Sequence, residues 1–84
     1  MSCDTLTACR LRITAEPDPA VLARVLERFQ NLNVLPRRVI SEVASTGIVH
    51  VQVDVIGISA QTLSLISAKV AQVPCVLNAY WHVL

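Results

Sequence analysis

Aromatic residues are nearly missing from this chain, with one Trp, one Tyr and one Phe in 84 residues. A sheet that reads single-stranded RNA presents two or three stacking rings in a basic surround. Too few rings exist here to build one, and a net charge of +1 supplies no basic surround. The same balance gives no reason to expect an anionic membrane as partner. Long apolar runs are missing too: none reaches the roughly 18 residues needed to cross a bilayer. The opening MSCDTLTAC lacks the basic start and apolar stretch of a secretory signal, so a cytoplasmic protein is expected. The three cysteines, Cys3, Cys9 and Cys75, are odd in number and far apart. They do not read as a disulfide framework, and without a Cys-x-x-Cys pair they make a poor metal site. Cys9 and Cys75 are expected to face inward as small apolar residues.

What is present is aliphatic. Hydrophobic residues make up 54% of the chain, above the roughly 45–50% of ordinary soluble domains, and Val, Leu, Ile and Ala carry it. A single domain of this size buries only about 60–65% of its unfolded surface. Association with a second copy would hide the remainder.

The apolar spacing gives an order of elements. Residues 8–14, ACRLRIT, alternate: Cys9, Leu11 and Ile13 point one way, Arg10, Arg12 and Thr14 the other, as in a half-buried strand. Asp18 suits a helix N-cap and Pro19 the first helical position. Val21, Leu22, Val25, Leu26 and Phe29 then recur at helical spacing, and Asn31 and Asn33 suit the exit. Residues 34–44, VLPRRVISEVA, read as a second strand whose Pro36 places it at a sheet edge. Ser45, Thr46 and Gly47 make a hairpin. Residues 48–57 form the clearest strand, with Val49, Val51, Val53 and Val55 opposed to His50, Gln52 and Asp54. Ser59 caps a second helix with Leu63, Ile66 and Val70 as its buried stripe, and Pro74 marks its end. Residues 75–84 form the last strand, with Cys75, Leu77, Ala79, Trp81 and Val83 inward.

The order β-α-β-β-α-β is the α+β, ferredoxin-like sandwich: a four-stranded antiparallel sheet with two helices on one face. The expected strand order is fourth, first, third, second. One domain spans residues 1–84, its core about 8–84. The open face would carry Arg10, Arg12, His50, Tyr80 and His82, either as a solvated polar face or as a docking face. No catalytic constellation stands out. The corner Ala15-Glu16-Pro17-Asp18-Pro19 has two carboxylates and two prolines where a phosphate-holding loop needs free amides. The histidines have no visible nucleophile partner, and no residue set points to a cofactor or metal.

With these elements in place the chain resembles an ACT domain over residues 8–84. ACT domains carry a polar residue, then x-Pro-Gly-Val-Leu, then a helix with spaced Val and Phe. Here the stretch reads Pro17-Asp18-Pro19-Ala20-Val21-Leu22-Ala23-Arg24-Val25-Leu26-Glu27-Arg28-Phe29. Leu22-Ala23-Arg24-Val25 followed by Phe29 is most similar to the small regulatory subunit of acetolactate synthase, in its short single-domain form. The resemblance implies a non-catalytic subunit that activates a large thiamine-diphosphate enzyme of branched-chain amino-acid synthesis. It also implies an amino-acid effector held between two ACT domains. The departures are that the family's glycine is Ala20, its polar residue is Pro17, and a ligand-holding polar position falls near Leu35. Only the backbone amides of Val21 and Leu22 carry over as effector contacts, and weak or absent valine sensitivity is expected. A free-standing dimeric amino-acid sensor is the other reading. The expected dimer forms through the edge Val39-Ile40-Ser41-Glu42-Val43 or through adjacent helices.

Overall fold

A computed structural model describes residues 7–84, which leaves Cys3 outside the described residues. The element order is β1 (Ala8–Ala15), α1 (Val21–Asn31), β2 (Arg38–Val43), β3 (Val49–Ile56), α2 (Ala60–Ala71) and β4 (Val76–Val83). The four strands form one antiparallel sheet in the order β2-β3-β1-β4. This is the ferredoxin-like arrangement, with the expected strand order.

The core lies between sheet and helices. Cys9, Leu11 and Ile13 of β1 and Val49, Val51, Val53 and Val55 of β3 are buried in the anticipated register. Val21, Val25 and Phe29 of α1 and Ile66 and Val70 of α2 close over them. Trp81 covers the flank half-buried, its ring meeting Phe29 edge-on at 6.4 Å. A partly buried indole N–H needs an acceptor, and it donates to the Leu63 carbonyl at 2.7 Å. That bond ties β4 to α2.

Both helix ends are set by local chemistry. At the α1 exit Asn33 takes φ +58. Its N–H donates to the Gln30 carbonyl, while the Val34 N–H reaches back to that of Phe29, each at 2.9 Å. Together they form a Schellman motif, with Val34 and Phe29 both buried behind it. At the α2 entry the Ser59 hydroxyl accepts from the Thr62 N–H at 3.2 Å, as expected of an N-cap.

Three expectations are corrected. First, β2 begins at Arg38, not 34. Val34 is consumed by the helix exit, and Pro36 has no N–H to give a ladder. Second, α1 begins at Val21, with Ala20 at the N-cap position. Asp18 accepts from the Ala20 N–H at 2.8 Å, so it closes a turn ahead of the helix, and Pro19 sits in that turn. Third, β4 carries an irregularity opposite Thr14 and Ala15: Thr14 pairs with Asn78, but Ala15 pairs with Val76. The extra residue shifts the facing. Val76 therefore packs on the core, while Leu77 is 54% exposed and Val83, at the strand's far end, is 77% exposed. Cys75 is only half-buried and precedes the strand, whereas Cys9 is buried as expected.

Candidate functional site

The corner between β1 and α1 is held by Asp18 and by the approach to β4. The Glu16 N–H donates to the Cys75 carbonyl at 2.8 Å. Both carboxylate oxygens of Asp18 are engaged: one accepts the Ala20 N–H, the other the Cys75 thiol at 3.6 Å. Burial pushes the Cys75 thiol pKa up, and the hydrogen bond from it to Asp18 and the charges of Asp18 and Glu16 act the same way. Cys75 also holds φ +76, a conformation that L-residues adopt at a cost.

The two amides proposed from the sequence lie at this corner. The Val21 N–H donates to the Asp18 carbonyl at 3.1 Å, so an effector carboxylate would compete with an existing bond. The Leu22 N–H lies in the first turn of α1, where a helix leaves its amides without intrahelical partners. Ala20 has φ −89, ordinary for any L-residue. A glycine at this position would therefore contribute space rather than conformational freedom. Asp18 already places a negative charge at the positive end of the helix, where a ligand carboxylate would sit.

Leu35 is 87% exposed just beyond the other end of α1. Eleven helical residues span about 16 Å, so Leu35 and the corner do not meet within one chain.

At the free edge, Val39 is 37% and Val43 69% exposed, Ile40 is half-buried, and Ser41 and Glu42 are exposed. The Ala44 N–H donates to the Ile48 carbonyl. Antiparallel alternation then turns the backbone groups of Val39, Ser41 and Val43 away from β3, toward the open edge.

On the open face, Arg10 lies opposite Asp54. Its Nε and an Nη hydrogen-bond the two carboxylate oxygens at 2.7 and 3.0 Å. Sequence spacing put both residues on the polar face but did not pair them; their pairing is a property of strand register. The Arg10 hydrogen bond holds the Asp54 carboxyl below the usual carboxylate range against the opposing effect of burial, with Arg10, Arg38 and Arg37 adding their charges. The stabilisation is therefore fully present above the unfolded carboxylate value of about 3.9, and is lost as pH falls through the lower folded value. Asp54→Asn is expected to lower the urea midpoint at neutral pH, with the gap to the parent narrowing below pH ~3. Urea titrations at both pH values check this.

Among the described residues, no group of three or more His, Cys, Asp or Glu side chains could hold a metal ion. No helix among them is long and apolar enough to cross a membrane.

The layered architecture and the corner define the class, a βαββαβ sandwich with a strand-to-helix loop at one end. The sequence profile of the ACT-like domain matches residues 2–84, and the chain belongs to that family. Solved structures share the fold at low identity. The C-terminal domain of the MgtC protein from Mycobacterium tuberculosis is 16% identical with a TM-score of 0.76, over 100% of this chain and 94% of that one. The ACT domain from GTP pyrophosphokinase of Chlorobium tepidum is 15% identical with a TM-score of 0.76, over 89% and 96%. A homoserine dehydrogenase from Thiobacillus denitrificans is 18% identical with a TM-score of 0.78, over 93% of this chain but 17% of that one. No curated protein matches the chain.

Proposed function

We propose that this ACT-like domain is a non-catalytic regulatory subunit that binds and activates a larger enzyme of amino-acid biosynthesis. The enzyme class favoured is acetolactate synthase-like, in branched-chain amino-acid synthesis. The observation that carries the regulatory reading is the corner itself. It is a hydrogen-bonded loop at a helix N-terminus, the kind of place where amides can meet a carboxylate, with Asp18 and Ala20 occupying the charge and space a ligand would need. The resemblance of Leu22-Ala23-Arg24-Val25 and Phe29 to the small subunit's first helix supports the enzyme class.

The working unit is a two-fold dimer through β2. Antiparallel pairing of two β2 edges sets the first residues of one strand beside the last of the other. The Leu35 end of one copy then approaches the corner end of its partner, bringing together regions that one chain keeps apart. Exposed Leu35, Val39 and Val43 give that junction apolar area. Any effector would sit there, against the amides of Val21 and Leu22.

Tagged protein drawn from cells of its source is expected to carry a stoichiometric large thiamine-diphosphate enzyme, identified by mass spectrometry, whose activity rises when the purified subunit is added. A homodimer that carries no enzyme sinks this reading and leaves the alternative, a free-standing amino-acid sensor in the cytoplasm. Millimolar valine or isoleucine is expected to leave the melting temperature unchanged. Any ligand of the native state must raise it, so clear stabilisation by either amino acid would show that Asp18 and Ala20 do not block the corner.

A further inference from the structure

The sheet face away from the helices holds a concavity of about 280 Å³. Arg12, Thr14 and Gln52, all half-buried, line it together with exposed Glu42, His50 and Tyr80. It lies across the sheet from the helix layer and is formed by the middle of the strands. Register explains the gathering. Arg12 pairs with Gln52 on one side and Tyr80 on the other, and Thr14 pairs with His50, which pairs with Glu42.

Arg12 is the group that asks for an explanation. Two residues away, Arg10 has Asp54 opposite it. The cross-strand neighbours of Arg12 are an amide and a phenol. Among the described residues, ion pairs join Arg10 to Asp54 and Arg28 to Glu27, and none engages Arg12. A guanidinium offers five donors in a fork that matches a carboxylate, and here it is half-withdrawn from water. At the β2 side of the same hollow stands one anion, Glu42. Apart from the imidazole, the lining carries one positive and one negative charge, on non-adjacent strands. Such a site gives a polyanion such as a phosphate ester no net attraction and matches a ligand that is itself a zwitterion.

We propose that this open-face hollow binds a small polar α-amino acid. Its carboxylate pairs with Arg12, its ammonium faces Glu42, and Thr14 and Gln52 provide hydrogen-bonding walls. The site is separate from the corner and independent of the regulatory reading above. It stays open in a β2-paired dimer, because edge pairing extends the sheet without covering its face.

The test is an amide-resolved NMR titration of the full chain with the common L-amino acids, singly, at millimolar concentration. At least one amino acid with a polar side chain is expected to shift the amides around Arg12, Thr14, His50, Gln52 and Tyr80 saturably. Its carboxamide and its N-acetyl form are expected to fail. Arg12→Met is expected to weaken binding about tenfold or more, and Glu42→Gln, at the exposed edge, to weaken it less while leaving the free spectrum intact. No saturable shift with any amino acid overturns the proposal. So do shifts confined to the corner around Glu16–Leu22 and indifferent to Arg12→Met, which would leave a corner effector standing. Equal shifts with acetate or sulfate also overturn it, since they would mark an unselective anion site.

Discussion

Phe29→Ala is expected to remove a large part of the stability of this domain. Phe29 is fully buried and meets Trp81 edge-on. Its carbonyl accepts the Val34 N–H that ends α1. Truncating a buried Phe costs about 3–5 kcal/mol, combining lost transfer energy with the cavity left behind. Native domains hold about 0.05–0.15 kcal/mol per residue, so a chain of 84 residues holds roughly 4–13 kcal/mol. The substitution therefore takes about a quarter or more of the total, and at the lower end most or all of it. Urea unfolding followed by Trp81 fluorescence measures the shift. Phe29→Leu, which keeps much of the volume, is expected to cost clearly less. Equal losses for the two would mean that volume at this site is not what holds α1 down, and the helix exit would become the suspect.

Ser41→Pro is expected to prevent the proposed β2-paired dimer, leaving a monomer whose fold survives. Ser41 sits mid-way along β2 with its N–H turned to the open edge rather than to β3, by the alternation that the Ala44 to Ile48 bond sets. Proline there deletes an outward donor and puts a ring where a partner strand would lie. The β2–β3 ladder keeps its hydrogen bonds. Val43→Lys, on a side chain 69% exposed, is the milder companion, because edge lysines oppose strand addition. Light scattering reads the mass, and circular dichroism checks that the sheet persists. A Ser41→Pro protein that is folded and still dimeric would move the interface away from β2, to the helices or to β4. The β4 edge carries its own exposed apolar residues in Leu77, Val83 and Leu84.

The two outcomes bear differently on function. Loss of the dimer with loss of enzyme activation would tie regulation to the proposed junction between the Leu35 end of one copy and the corner of the other. Loss of the dimer with activation intact would show that a single domain docks on the enzyme.

Much of the architecture was legible in the residues. Period-two alternation in β1 and β3 and period-3.6 spacing in α1 and α2 are local properties. They follow from the geometry of single elements, and the element order then leaves few topologies open. The family resemblance was legible for the same reason, since it rests on a contiguous stretch, Pro17 to Phe29. The corner's own chemistry was legible only in part. Asp18 was visible as a capping residue, but its true role as a clasp on Ala20 and Cys75 depends on a partner 57 positions away.

What the sequence by itself determined, then, is the set of elements and the buried faces of β1 and β3, and it showed the departures from the family's corner at Pro17, Ala20 and Leu35. Tertiary structure decided the rest. Register alone placed Arg10 against Asp54 while leaving Arg12 between Gln52 and Tyr80. One extra residue in β4 turned Leu77 outward and Val76 inward. The physical reason is common to both. Alternation assigns a side chain to a face, but the ladder of backbone hydrogen bonds chooses its neighbours on that face, and a single-residue slip changes every one of them.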